Sequence, residues 1–280
     1  MTALIETVAS ALGGRHLGLG ALPLALAAAC SAAGEAAPAA LPRAHSHNDY
    51  LRERPLFDAL DAGFCNVEAD VFAVDGALLV AHGWRGLRAE RDFESLYLAP
   101  LFERHRTLGA IHAGCDAGFT LLVDIKADAE GAYALLREIL APYRAMLTCL
   151  EGGEVVRSSV TVILSGSRPR ATLAAESDRL VFMDGRLADL AGEAAAGAEL
   201  IPLVSDSFPR VFRWRGSGPF PKAERARLAE LVALAHQSGR RLRFWAVPGG
   251  EAGWRALAAA GVDLIGTDDP QRLARFLRGE

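Results

Sequence analysis

Eight short apolar runs that alternate with helical stretches constrain the fold of this chain more than any other feature. The helical stretches include residues 55–62, 129–140, 223–236 and 253–260. Such alternation is typical of a parallel sheet covered by helices, and eight repeats predict a closed (β/α)₈ barrel. A doubly wound open sheet is the alternative, but no run is followed by the glycine-rich fingerprint of a dinucleotide-binding fold. The eight runs are residues 43–47, 64–72, 120–125, 160–164, 180–183, 200–204, 241–247 and 262–266.

Composition and charge narrow the class of protein. The chain has 280 residues, of which 51% are hydrophobic and 23% are charged, and these are values that a single globular domain accommodates. The net charge of −4 and the isoelectric point of about 6.0 leave no strongly basic stripe. We therefore expect no nucleic-acid partner, and we expect a monomer.

Residues 1–41 differ in composition from the rest of the chain. An apolar run, residues 17–30, follows the basic residue Arg15 and is too short to span a membrane comfortably. A basic start, an apolar run and the small residues after it resemble a secretory signal peptide. We expect cleavage after Ala29 or Ala33.

This N-terminal segment predicts an exported protein, periplasmic or extracellular, in which residues 42–280 form the barrel. Cleavage before Cys30 would instead attach the mature protein to a lipid. Ala27 stands where such lipid signals usually have Leu, which disfavours this alternative. A helical or disordered extension is the remaining interpretation of the segment.

The stretch 66–82 carries two acidic residues, Glu68 and Asp70, inside an apolar run. The two-residue period of a strand places both on one side, and two adjacent carboxylates in a low-dielectric site need a neutralising cation. Oxygen ligands without interleaved Cys or His favour Mg²⁺ or Ca²⁺. A solvated sheet face is the alternative, but the apolar neighbours indicate a sheet that is buried on both sides.

The pair Asp75-Gly76 predicts a tight turn between two apolar runs. This turn brings residues 78–80 back alongside the first run. His82 ends the second run, so we expect it near the open end of the strands and close to the two carboxylates.

Polar side chains gather at the predicted carboxyl ends of the strands, where barrels of this class carry their functional groups. Each of them can also cap a helix, and capping is our interpretation of residues 268–270, before the last helix. The polar strand ends are residues 45–50, Glu68 with Asp70, Asp124 with Lys126, residues 165–170, residues 184–186, Ser205 with Asp206, Trp245, and residues 267–269.

Several motifs together resemble one superfamily. They are a histidine after the first strand, the Glu-x-Asp pair, the Asp-Gly turn, a second histidine, and Asp-x-Lys on the third barrel strand. This set is similar to that of the glycerophosphodiester phosphodiesterases and phosphatidylinositol-specific phospholipases C. The segments at residues 45–50, 95–98, 243–246 and 261–269 resemble the branch that includes the fungal altered-inheritance-of-mitochondria protein six. The first of these segments also resembles the opening of the spider sphingomyelinase D toxins.

The resemblance implies a TIM barrel, a Mg²⁺ or Ca²⁺ ion, and two histidines that act as general base and general acid. Matched by motif, the metal carboxylates are Glu68, Asp70 and Asp124, and the catalytic histidines are His45 and His82. Many relatives have Glu in the third metal position, and the shorter Asp favours Mg²⁺ over Ca²⁺.

One departure from the superfamily pattern concerns the phosphate contact. Glycerophosphodiesterases follow the first histidine with Arg-Gly, whereas this chain has Ser46-His47. Lys126, Arg168 or Arg186 would then replace the missing arginine. The other candidate substrate-binding residues are His47, Asn48, Asp184 and Trp245.

The sequence therefore predicts a phosphoric diester hydrolase that acts on a glycerophosphodiester or on a phospholipid-type substrate, in the second case with peripheral membrane contact. A bound divalent ion reduces the charge repulsion between the diester and a nucleophile, while two histidines transfer protons. Water and a hydroxyl of the substrate both remain candidates for the nucleophile.

Two alternative functions stay open. A barrel of this kind can bind a phospholipid or polyol phosphate without catalysis. The His45-x-His47 pair, together with Asp268, also resembles the opening of metal-dependent amidohydrolases, which need two further histidines on middle strands. The remaining histidines fall in helical or loop stretches, which disfavours this last alternative; they are His105, His112 and His236.

Overall fold

The structure, a computed structural model, describes residues 38–113, 118–191, 196–248 and 250–280. The predicted signal peptide and the lipid-anchor alternative at Cys30 lie outside these residues and stay predictions. In the described part of the chain, no helix is long and apolar enough to cross a membrane.

Eight parallel strands form a nearly closed barrel, as predicted. Each strand pairs with the next one along the chain, and the last pairs with the first, with Ala44 opposite Ile265. A single parallel bridge between Arg243 and Leu264 joins the seventh and eighth strands. The barrel strands are β1 (Leu41–Ser46), β2 (Phe64–Val74), β4 (Phe119–Ile125), β7 (Val160–Gly166), β8 (Val181–Gly185), β9 (Leu203–Ser207), β10 (Arg241–Trp245) and β11 (Ile265–Thr267); β3 (Ala77–Val80), β5 (Cys149–Glu151) and β6 (Glu154–Val156) lie outside the barrel.

Helices follow most barrel strands and cover the outside of the sheet. The predicted helix at 129–140 has the observed bounds, and Asp128 caps its first turn by accepting a hydrogen bond from the Gly131 N–H. The α-helices are α1 (Phe57–Asp61), α2 (Ala99–Leu108), α3 (Ala129–Leu140), α4 (Arg170–Ala175), α5 (Phe208–Val211), α6 (Lys222–Gln237), α7 (Glu251–Ala260) and α8 (Pro270–Arg278). Short 3₁₀ helices span Asp49–Leu51, Trp84–Gly86, Ala141–Met146 and Leu187–Leu190, and a π-helical turn spans Glu94–Leu98.

The predicted hairpin is present between β2 and β3. Val71 pairs with Val80 in antiparallel register, and Asp75 and Gly76 both have positive φ angles, of 47° and 79°. These angles are those of the tight turn that matches the twist of two paired strands. The hairpin folds the chain back and brings His82 beside Asp70 of β2.

The barrel interior changes from apolar to polar toward the carboxyl ends of the strands. Leu122, Ile163 and Phe182 belong to a small buried cluster on neighbouring strands. Asp124 follows Leu122 by two residues and therefore lies on the same inner face, and Ser165 pairs with it on β7. The apolar layer thus supports a polar layer at the open end.

Candidate active site

Three carboxylates converge at the open end of the barrel. Glu68 and Asp70 come from the inner face of β2, and strand pairing sets Asp124 of β4 directly beside Asp70. One oxygen from each of the three groups lies within 4.8 Å of the others. The structure thus brings together the three residues that the resemblance implied as metal ligands.

Two cationic side chains contact this cluster. The Lys126 Nζ lies 2.7 Å from Asp70 Oδ2 and 3.1 Å from Asp124 Oδ1, and the buried guanidinium of Arg243 binds Glu68. Burial alone would raise the pKa of Glu68, but Arg243 and His45 lower it below its usual range. Burial raises the pKa of Asp124, against the opposing effect of Lys126. Three carboxylates against two cations leave the cluster with a net negative charge, which favours the binding of a further cation.

The cluster fits a hard divalent cation. Asp70 Oδ1 is buried and has no hydrogen-bond partner, although buried polar oxygens are normally paired. All three groups offer carboxylate oxygens, which Mg²⁺ and Ca²⁺ prefer. Glu68, Asp70 and Asp124 are therefore the residues that would hold such an ion.

His45 lies against the cluster on the side of Glu68 and is fully buried. Its Nε2 is 3.0 Å from Glu68 Oε2, and its Nδ1 is buried without a partner. Burial and the nearby charge of Arg243 lower the pKa of His45 to about 4, against the opposing effect of Glu68. The imidazole is therefore neutral near pH 7, with Nε2–H donating to Glu68 and a free electron pair on Nδ1.

His82 lies on the side of Asp70, as predicted, and most of its side chain is exposed. Its Nδ1 is 3.3 Å from Asp70 Oδ2 and 3.2 Å from the Tyr50 hydroxyl. The same hydroxyl donates to Asp70 Oδ2 at 2.7 Å and lies 3.0 Å from Asn48 Oδ1. Tyr50 therefore links the carboxylate cluster to His82.

His47 occupies a different position from His45. Its side chain is 34% exposed, and its Nδ1 lies 2.9 Å from Asp268 Oδ1. It lines a cavity of about 300 Å³ together with Arg243, Trp245 and Thr267. The carboxylate of Asp269, not that of Asp268, caps the last helix by accepting from the Arg272 N–H, so the capping interpretation holds for one acidic residue of the pair.

The first loop of the barrel is held by Asp49, which is buried. Its carboxylate accepts hydrogen bonds from the Ser46 hydroxyl at 2.7 Å, the Leu56 N–H at 2.5 Å and the Tyr97 hydroxyl at 3.1 Å. Asn48, directly before it, has a left-handed backbone with φ of 46°. These contacts join the segment at 45–50 to Leu56 and to the Tyr97 segment.

The remaining predicted substrate-binding residues form a second cluster around Asp184, at the end of β8. Asp184 is buried and accepts from the Arg186 guanidinium at 2.7 Å; Arg168 donates to its backbone carbonyl, also at 2.7 Å. The Arg186 guanidinium lies 5.0 Å from the centre of the Trp245 ring. Burial raises the pKa of Asp184, against the effect of Arg186. The cluster thus presents two guanidinium groups against one carboxylate.

Sequence reasoning did not assign two residues that the structure places in the site. Tyr50 stands inside the quoted opening motif, but its contact with His82 depends on the loop conformation. Arg243 precedes Trp245 by two residues and so shares its strand face, which is the signal that could have identified it. Its partner Glu68 is 175 residues away in the chain.

The amidohydrolase alternative finds no further ligands among the described residues. His105 lies in α2 and His236 in α6, both outside the barrel interior. His112 is buried and its Nε2 contacts the Phe64 carbonyl at 2.7 Å. Two additional histidine ligands on middle strands are therefore missing from the described part of the chain.

Gly166 supports the site through close packing. It has a φ of +65°, and a Cβ there would lie 2.4 Å from Asp124 Oδ1. Gly109 has a similar φ of +70° with no atom within 4 Å of its Cβ position. We expect both Gly→Ala variants to lose about 1–2 kcal/mol from backbone strain, and Gly166→Ala to lose about 1–3 kcal/mol more from overpacking. Urea unfolding of both variants measures the difference, and equal losses would contradict this role.

The fold has a solved counterpart. A calcium-dependent phosphoinositol-specific phospholipase C from a Gram-negative bacterium, Pseudomonas sp., matches with a TM-score of 0.55 at 14% identity over 82% of this chain and 88% of that chain. At this identity the match concerns the fold alone. It shows that this chain and that protein share a barrel fold.

The family is defined by sequence. The AIM6-like phosphodiesterase domain matches residues 37–184, and the chain belongs to this family. The altered inheritance of mitochondria protein 6 homolog of Arthroderma benhamiae is 30% identical over 80% of both chains. The altered inheritance of mitochondria protein 6 of Lachancea thermotolerans is 30% identical over 84% of this chain and 66% of that protein. The resemblance found in the sequence is confirmed.

Proposed function

We propose that this chain is a metal-dependent phosphoric diester hydrolase that acts on a glycerophosphodiester or a phospholipid-type substrate. The observation that carries the proposal is the convergence of three carboxylates within 4.8 Å between two histidines, His45 and His82, at the open end of the barrel. The phosphodiesterase family to which the chain belongs supports the reaction class. Mg²⁺ is the proposed ion, with Ca²⁺ as the alternative.

The ion, held by Glu68, Asp70 and Asp124, would supply Lewis-acid stabilisation of the negative charge on the diester. Lys126 contacts Asp70 and Asp124 of the same cluster. A phosphate oxygen bound beside the ion can therefore accept a hydrogen bond from the Lys126 ammonium. Arg168 and Arg186 are the candidate contacts for the rest of the head group. A diester enters from the polar open end, because the layer below is apolar and closed.

We assign proton transfer to the two histidines, His45 and His82. In hydrolysis a water oxygen forms a bond to phosphorus, its proton goes to a general base, the bond to the leaving oxygen breaks, and a general acid protonates that oxygen. His45 is assigned as the base by its match to the family motif; its imidazole is neutral, and its Nδ1 is buried and has no hydrogen-bond partner. His82 is exposed at the entrance and is the candidate acid, because its imidazolium form carries a proton on both ring nitrogens and can give the one on Nε2 to the leaving oxygen.

A panel of phosphodiesters, incubated with and without Mg²⁺, tests this function on the purified protein. We expect at least one diester to be hydrolysed with Mg²⁺ and the activity to disappear after chelation. Asp124→Asn removes one carboxylate charge and should strongly reduce Mg²⁺ binding measured by calorimetry. Asp206→Asn, at the end of another strand, is the matched control.

Two results would contradict the proposal. Binding of diesters without turnover of any, with Mg²⁺ present, would favour the non-catalytic binding barrel. Turnover that is unchanged by chelation and by Asp124→Asn would leave no role for the ion.

A further inference from the structure

We infer that Tyr50 is a positioning residue that holds His82 in the Nδ1–H tautomer and leaves Nε2 free to face the substrate. The inference rests on the proposed function for its catalytic meaning, but the contacts that carry it are independent of any substrate. Tyr50 is 2% exposed, whereas the His82 side chain is 72% exposed. The buried phenol is therefore the fixed partner and the imidazole is the group that it holds.

The number of protons on the Tyr50 hydroxyl determines which partner donates in each of its hydrogen bonds. A tyrosine hydroxyl has one proton and can accept as well as donate. Its shortest contact, 2.7 Å, is to Asp70 Oδ2, and a carboxylate can only accept. The single proton of Tyr50 therefore goes to Asp70, and its oxygen is left to accept from other neighbours.

The two remaining neighbours of the phenol oxygen are Asn48 and His82. Asn48 Oδ1 lies 3.0 Å away and is also an acceptor, so it competes with Asp70 for the phenol proton and supplies no proton to the phenol oxygen. The His82 Nδ1 lies 3.2 Å away. Since the phenol proton is already used, a bond between these two groups requires the proton to be on Nδ1.

The second neighbour of His82 leads to the same tautomer. Asp70 Oδ2 lies 3.3 Å from Nδ1 and is also an acceptor. This oxygen already receives Tyr50 at 2.7 Å and the Lys126 ammonium at 2.7 Å, so it is a weak acceptor for a third donor. The phenol oxygen is therefore the principal acceptor for Nδ1–H.

The tautomer matters for proton transfer. A neutral imidazole that carries its proton on Nδ1 has its electron pair on Nε2, and the ring nitrogen that faces the substrate is set by the bond that the other nitrogen makes. An exposed imidazole without a fixed partner samples both tautomers and several rotamers. Tyr50 thus orients the exposed imidazole so that Nε2 is the nitrogen that takes up a proton and, from the imidazolium form, gives it to the leaving oxygen.

The test is ¹⁵N NMR of the imidazole nitrogens in metal-free protein at about pH 8, where an ordinary imidazole is neutral. His82→Gln identifies the His82 signals. In the parent protein we expect His82 to be in the Nδ1–H form. Tyr50→Phe should introduce the Nε2–H form, and it should lower kcat on an active diester by about 10- to 100-fold with little change in KM.

Tyr97→Phe is the matched control. It also removes one buried phenol hydroxyl next to the same loop, but that hydroxyl contacts Asp49 and not His82. We expect Tyr97→Phe to leave the His82 nitrogen signals unchanged. Thermal unfolding of both variants checks that each is folded.

Three results would overturn the inference: an Nε2–H tautomer in the parent protein, an unchanged His82 spectrum in Tyr50→Phe, or the same spectral change in both phenylalanine variants. If the parent protein hydrolyses no diester, the proposed function is wrong, and the NMR comparison still decides whether Tyr50 sets the tautomer.

Discussion

Replacing His82 with alanine should lower the turnover of an active diester by about 100- to 10,000-fold, which is the usual cost of losing a general acid or base. His82 is the exposed histidine at the carboxylate cluster, and its Nδ1 is held on the inner side by Tyr50 and Asp70. Its Nε2 is therefore the nitrogen that is left to face a substrate, and in the imidazolium form it would carry the proton for the leaving group. Steady-state kinetics with Mg²⁺ present measures the loss.

His236→Ala is the control for this variant. His236 is also exposed and also pairs with an acidic residue, Asp263, at 2.9 Å, but it lies on α6 and its partner precedes β11, so the pair is at the opposite end of the barrel. We expect its removal to leave turnover unchanged. If His82→Ala turns over like the parent protein, the two-histidine mechanism is wrong.

The fold was largely predictable from the sequence because its signal is local. The alternation of apolar runs and helical stretches identified all eight barrel strands. A short, continuous apolar run between helices is typical of a parallel strand that is buried on both faces. The strand bounds differ by up to three residues. The strand predicted to begin at residue 200 begins at Leu203, because Leu200 and Ile201, though buried, precede the pairing with β8.

Part of the carboxylate cluster was predictable for a similar reason. The two-residue period of a strand fixed the common face of Glu68 and Asp70, whereas Asp124 was assigned by the resemblance, and the register that sets it beside Asp70 comes from the structure. Long-range partners were not predictable in this way. Arg243 binds Glu68 across the barrel interior, although the two residues are 175 positions apart in the chain. The sequence around either residue contains nothing that indicates the other as its partner.

The two-residue period of a strand does not predict how deeply a side chain is buried. His45 and His47 differ in this burial. Both side chains lie on the same side of the first strand by alternation. His45 is at the level of Glu68 and closed to solvent, whereas His47, two residues later, reaches the cavity and binds Asp268. The preference for His45 as the base comes from the resemblance to related enzymes, and the structure adds its neutral state and its unpartnered Nδ1.

We expect His45→Ala to lose nearly all turnover, by about 100- to 10,000-fold, and His47→Ala to retain a measurable fraction. The loss in His45→Ala has two sources, because the imidazole both offers Nδ1 to a proton and donates Nε2–H to Glu68. His45→Gln separates them, since a glutamine amide can reach the position of Nε2 and donate to Glu68 but cannot act as a base near neutral pH.

If His45 is the base, His45→Gln should bind Mg²⁺ like the parent protein, as measured by calorimetry, and should remain inactive. Recovery of turnover in His45→Gln would instead make His45 a residue that only positions Glu68. The base would then be His47, because its Nδ1 is held by Asp268 at 2.9 Å and its Nε2 is left for a substrate in the cavity. In that case His47→Ala, and not His45→Ala, should be the variant with the largest loss of turnover.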